Sequence, residues 1–154
     1  MPMPTPPSGP RQSVTAHLTA RDAARAIEFY IRAFGAQELF RLVEPSGKVG
    51  HAELLVGASR IMICDEYPDF GALSPAAIGG SPIKLLLYVD DADAVMRQAV
   101  AAGATELRPV KPQFYGDRSG MVLDPFGFSW SIATPVEDVS PAEMQRRFSA
   151  ALAP

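Results

Sequence analysis

The hydrophobic period of the chain changes in the same order twice. In "SVTAHLT", residues 13–19, Val14, Ala16 and Leu18 alternate with Thr15, His17 and Thr19, the pattern of a half-buried strand. From Asp22, an N-cap residue type, the period lengthens. Ala23, Ile27, Tyr30, Ile31 and Phe34 fall on one helical face, and Gly35 ends the helix by reaching positive φ without a Cβ clash. "QELFRLVE", a turn at Pro45-Ser46-Gly47, "VGHAELLVG" and "SRIMICDE" then predict three strands. The second half repeats the order. "IKLLLYV" is a strand, and Asp90 caps a helix with Ala92, Val95, Met96, Ala99 and Val100 on one face. Gly103 closes that helix, and "TELRPV", "YGDRSGMVLD" and "FSWSIAT" follow as strands. "FGAQEL" (34–39) and "AGATEL" (102–107) are the same helix exit written twice.

The pattern predicts an α+β fold of two tandem β-α-β-β-β modules, residues 13–70 and 82–134, joined by a linker at 71–81. A Pro-rich tail, 1–12, precedes them and a C-terminal helix lies within 135–154, all forming one structural domain. Two units are too few for a stacked solenoid. A curved sheet with one helix covers only its helix side, so two modules are expected to enclose a ligand cleft between their other faces. In "SPAE", Ser140 stands at the N-cap, Pro141 at N1 and Glu143 at N3. Met144, Phe148 and Leu152 would then form a stripe that docks on the body or on a second subunit.

Composition narrows the function classes. A net charge of −3 over 154 residues, without a basic cluster, argues against nucleic-acid or membrane-surface binding. No apolar run approaches the ~20 residues needed to cross a bilayer. The single cysteine, Cys64, cannot form an internal bridge and fits a reducing cytoplasm. "MPMPTPPSGP" lacks the charged start and apolar centre of a signal peptide, and its five prolines predict a disordered tail.

Strand parity sorts the chemistry. Ala52, Leu54 and Val56 belong to the helix side, which turns His51, Glu53 and Leu55 to the cleft. By the same rule Lys84, Leu86 and Tyr88 face it, joined by His17, Met62 and Cys64, while Trp130 falls on the core side. In "QFYGDRSG", Tyr115 could stack on a planar ligand and Arg118 could bind a carboxylate or phosphate; equally, Asp117 and Arg118 could pair with each other.

The paired modules, "HAEL" before the hairpin and "YGDRSG…DPFGFSW" near the end resemble the vicinal oxygen chelate superfamily of glyoxalases, bleomycin-resistance proteins and extradiol dioxygenases, and within it the PhnB-like branch. The resemblance implies metal-ligand positions on the first and fourth strands of each module. They fall on Thr15, Met62, Lys84 and Ser131, none a good donor for a divalent ion. The expectation is therefore a small-molecule binder without that metal site or other cofactor, forming a homodimer, its ligand planar or anionic and held by His17, His51, Glu53, Met62, Lys84, Leu86, Tyr88, Tyr115 and Arg118. The alternative is a lyase, isomerase or dioxygenase of the same superfamily. In it Glu53 would be the base and His51 or His17 the acid, with or without a divalent metal. His51 and Glu53, i and i+2 on one strand, are about 6.7 Å apart at Cα, close enough to converge as a hydrogen-bonded pair or as part of a facial triad.

Overall fold

The structure, a computed structural model, describes residues 11–154; the predicted tail at 1–10 lies outside the described residues. Two βαβββ units follow each other. The first comprises β1 (His17–Ala20), α1 (Ala23–Phe34), β2 (Gln37–Val43), β3 (Val49–Val56) and β4 (Ser59–Asp65). The second comprises β5 (Lys84–Tyr88), α3 (Ala92–Ala102), β6 (Thr105–Pro112), β7 (Asp117–Leu123) and β8 (Ser129–Pro135). Between them the linker carries a 3-10 turn at Pro68–Phe70 and a single helical turn, α2 (Pro75–Ile78); α4 (Pro141–Leu152) ends the fold. The two four-stranded sheets have matching orders, β1-β4-β3-β2 and β5-β8-β7-β6, each with its first strand parallel to its fourth.

The same joint closes each unit. The end of the fourth strand caps the helix that follows the first: the Ala23 N–H donates to Asp65 Oδ1 at 2.8 Å, and the Ala92 N–H donates to Thr134 Oγ1 at 2.8 Å. Each satisfies a helix-terminal N–H that has no partner within the helix. The neighbouring caps are Asp22, accepting from Arg25 N–H, and Asp91, accepting from Ala94 N–H. The second corrects the sequence expectation of Asp90 by one residue: the helix starts at Ala92, so Asp91 is the N-cap and reaches the N–H three residues on.

α1 and α3 pack against each other, and α1 is buried more widely than its 3.6-residue stripe predicts. Phe29, off that stripe, is buried, whereas Ile31, on it, is 41% exposed. The reason is that α1 serves two units. Its Phe29, Tyr30 and Phe34 meet Phe126 and Trp130 of the second, with the Phe34 and Trp130 rings 4.7 Å apart. The Asp124 carboxylate, 3% exposed, sits at this seam. Its Oδ2 accepts from Tyr30 OH at 2.6 Å and Trp130 Nε1 at 2.9 Å, and its Oδ1 from the N–H groups of Phe126 and Phe128. Four donors offset the desolvation of a buried charge.

With both helices on the inner side, the opposite faces of both sheets are left open. Leu42, Leu86 and Tyr88 are more than half exposed there. The sheets therefore do not enclose a cleft within one chain, and parity was right about which residues share a face but not about what covers it. α4 begins at Ser140 as expected, its Oγ accepting from Glu143 N–H. Phe148 meets Phe114 on the β6–β7 loop, and Arg147 donates to Phe114 O and to Glu137; Leu152 stays exposed. Among the described residues no helix is long and apolar enough to cross a membrane.

Burial and the adjacent Asp124 carboxylate hold the Tyr30 phenol well above its ordinary value of 10.0. Between the unfolded and the folded pKa, the unfolded chain releases the proton that the folded chain retains, so stability falls as pH rises above about 10. Tyr30→Phe is expected to cost about 1–3 kcal/mol at neutral pH, because Asp124 loses a donor. The same variant should flatten part of the alkaline loss, as read from urea denaturation between pH 7 and 11; an unchanged slope would remove Tyr30 from this account.

Candidate functional site

The open face of the first sheet carries a cross-strand row in which Phe40 pairs with Glu53, Glu53 with Met62 and Met62 with His17. His51 lies one step along β3 and bridges the row. Its ring centroid is 5.7 Å from that of His17 and 5.9 Å from that of Phe40. The His51 Nε2–Glu53 Oε1 separation is 3.4 Å, a loose hydrogen bond at best. The stronger partner of Glu53 is Arg60, whose Nη1 donates to Oε2 at 3.0 Å. Glu53 is only 5% exposed, so the guanidinium supplies the countercharge that a buried carboxylate needs.

Arg60 and Phe40 were missed by sequence reasoning. Arg60 shares the parity of Met62 and could have been placed on this face by the same alternation. Its neighbourhood to Glu53 follows only from the β3–β4 register, in which Leu55 pairs with Arg60 and Glu53 with Met62. Gln12 frames the same residue from outside. Its side-chain amide donates to Arg60 O at 2.9 Å and its carbonyl oxygen accepts from the Arg60 N–H at 3.0 Å. The His17 pKa is lowered, first by partial burial and then by the nearby His51. Cys64 is buried with its Sγ 3.8 Å from Thr19 Oγ1.

On the second sheet Lys84, Leu86 and Tyr88 share the open face, paired in β8 with Ser129, Ser131 and Ala133. Lys84 is exposed rather than partly desolvated. Tyr88 OH reaches Asp117 at 3.4 Å, and that carboxylate raises the phenol's pKa. Tyr115 OH lies 3.2 Å from Ser119 Oγ, one strand further on. Arg118 departs from this set. It points to the helix side, where Nε and Nη2 form a fork on Asp93 of α3 at 2.7 and 2.9 Å. That pair, neither a ligand anchor nor a bridge to Asp117, lowers the Asp93 pKa through its hydrogen bonds.

Two half-sites result. One groups His17, His51, Glu53, Met62, Phe40 and Arg60; the other groups Lys84, Leu86, Tyr88 and Tyr115. For a divalent metal the donor set is wrong. Thr15, Met62, Lys84 and Ser131 supply a hydroxyl, a thioether, an ammonium and a hydroxyl, and Glu53 is engaged by Arg60. Among the described residues no three His, Cys, Asp or Glu side chains are grouped so as to hold an ion.

Two four-stranded sheets of this order, each with a crossover helix, define a paired-βαβββ protein with one open sheet face on each unit. Residues 12–132 match the Glyoxalase/Bleomycin resistance protein/Dioxygenase superfamily, and the chain belongs to it. An uncharacterised Mycobacterium bovis protein is 40% identical over 140 residues, covering 89% of this chain and 92% of the relative. The X-ray structure of an Arabidopsis thaliana gene product is 30% identical with a TM-score of 0.63, covering 79% of this chain and 98% of that one. A Bacillus cereus PhnB protein shares the fold at 20% identity and a TM-score of 0.62, covering 80% of this chain and 99% of that one.

The geometry ranks two couplings. Glu53→Ala and Arg60→Ala should be non-additive by about 1–3 kcal/mol, because either change leaves the other charge without its partner. The Glu53/His51 cycle should show less, given the 3.4 Å contact. Denaturant titrations of the single and double variants check this; additivity of the Glu53/Arg60 pair would dissolve the proposed ion pair.

Proposed function

We propose that this superfamily member is a cytoplasmic, homodimeric small-molecule binder of the PhnB-like branch that works without the superfamily's metal site. Its ligand is planar or anionic. Donor chemistry carries the reading: the positions to which the family resemblance assigns metal ligands hold Thr15, Met62, Lys84 and Ser131, none a good donor for a divalent ion. What stands on the open faces suits binding instead. Phe40 and the His17–His51 rings offer flat apolar surface, Tyr88 and Tyr115 offer more, and Lys84 supplies an unburied cation for an anionic group.

A second copy completes the site in this reading. Each chain presents two open faces with half-exposed Leu42, Leu86 and Tyr88, and laying the first sheet of one copy over the second of another would form a walled cleft. Glu53 then acts as an acceptor fixed by Arg60 at the cleft wall rather than as a base.

Two measurements test the proposal. Thermal shifts against a panel of planar carboxylates should reveal a stabilising class, worth about 2.7 kcal/mol at a hundredfold excess over Kd, and Lys84→Ala should weaken it. A flat response across the panel would count against binding, and one equivalent of Zn²⁺, Mn²⁺ or Ni²⁺ raising Tm would replace the reading with a metal protein. Light scattering should show a dimer that Leu86→Asp with Tyr88→Asp converts to monomer; a monomeric parent would refute the shared cleft.

A further inference from the structure

At the margin of the first open face, the linker arches over the free edge of β1 and leaves a cavity of about 270 Å³ beneath it. Its walls are largely apolar: Leu18, Leu73, Pro75, Ile78, Leu85 and Phe128. The polar contributions come from His17, Thr19 and Ser81, and among the described residues no Lys, Arg, Asp or Glu lines it. The space adjoins the first open face at His17 and lies between β1, the arch and the start of β5.

The arch is held in place rather than left to collapse. At its first end Ser74, fully buried, donates from its hydroxyl to Glu66 and caps α2 by accepting from the Ala77 N–H. Pro75 seats against Gly127, where an added Cβ would lie 2.6 Å from Pro75 Cβ; any other residue at 127 would push the arch outward. Gly79 and Gly80, with φ of 88° and 146°, then turn the chain without presenting side chains that could fill the space below. At the far end Ser81 Oγ accepts from the Ile83 N–H. Leu73, Ile78 and Ile83 remain 43%, 58% and 62% exposed around the opening, apolar surface that an occupant would cover.

We infer that this cavity is a second ligand site, for a small uncharged aromatic molecule with one polar group. Size sets the scale: an apolar cavity on the order of 150 Å³ takes up benzene, so the larger space here suits a bicyclic ring. Charge sets the class. A carboxylate or an ammonium would enter without a countercharge, whereas a single N–H or O–H can meet Thr19, Ser81 or the His17 ring. His17 also stands in the ring row of the first sheet, so an occupant touches the edge of the candidate site without entering it.

Indole is the probe, with benzoate as its charged counterpart. Titrated into full-length protein, indole should raise Tm and perturb the amide NMR signals of Leu18, Ile78 and Phe128 ahead of those of Met121 or Leu123, while benzoate perturbs this set at least tenfold less at equal concentration. Ser81→Phe and Ile78→Trp, which place a ring in the space from two sides, should abolish the indole response while keeping the parent's circular dichroism. Three outcomes would overturn the site: no indole response at millimolar concentration, a response that survives in folded samples of both variants, or benzoate binding as well as indole. A fourth is a change of oligomeric state in both variants, which would mean that another copy, not a ligand, covers the arch.

Discussion

The Asp124 carboxylate is the interaction on which the arrangement of the two units turns. A buried anion is tolerable only when its oxygens are fully engaged, and Asp124 meets that demand with two N–H groups of its own turn and two side chains, Trp130 from β8 and Tyr30 from α1. The local pair shapes the "DPFG" turn. The other pair joins a helix of the first unit to a strand of the second, and the aromatic rings around it exclude water from the charge. Because α1 is committed to that seam, the helix layer lies between the two sheets' inner faces, and their outer faces are left open.

That same seam explains where sequence reading succeeded and where it stopped. Alternation and helical period are local, so they located the strands, both helix exits at Gly35 and Gly103, the N-cap at Ser140 and the facing of His17, His51, Glu53 and Met62. They also put Trp130 on the inner side. What they could not carry was any property set by partners distant in the chain. Phe29 is buried because Phe126 lies against it, and Arg118 turns inward because Asp93 of α3 is waiting there. No periodic pattern in "DPFG" announces that its aspartate will meet a tyrosine 94 residues upstream. Arg60 is the instructive miss at the site. Its parity was legible, but its pairing with Glu53 depends on the β3–β4 register, which a hairpin's turn geometry sets.

The two units have diverged while retaining one joint. Asp65 and Thr134 perform the same cap on α1 and α3 with different chemistry, a carboxylate in one and a hydroxyl in the other. Asp65 adds a bond to the Val49 N–H from its second oxygen, and Thr134 instead donates to Val89 O. Their outer faces differ more. The first holds an ion pair beside two tilted imidazoles; the second carries Lys84, Leu86 and a Tyr88 hydroxyl that reaches Asp117. A duplicated scaffold whose joint is kept in geometry alone permits each face to change independently without loss of the fold.

The reach of Tyr30 has a consequence for how the chain acquires its structure. During synthesis α1 leaves the ribosome long before Asp124 and Trp130 exist, so its aromatic side has no permanent partner until nearly the whole second unit has followed. The first unit can pair its own strands in that interval, but it must keep Phe29, Tyr30 and Phe34 exposed or covered by something temporary. Repetition in sequence thus does not confer independence in folding: the halves look like separable building blocks, yet the earlier one waits for the later to finish its interior.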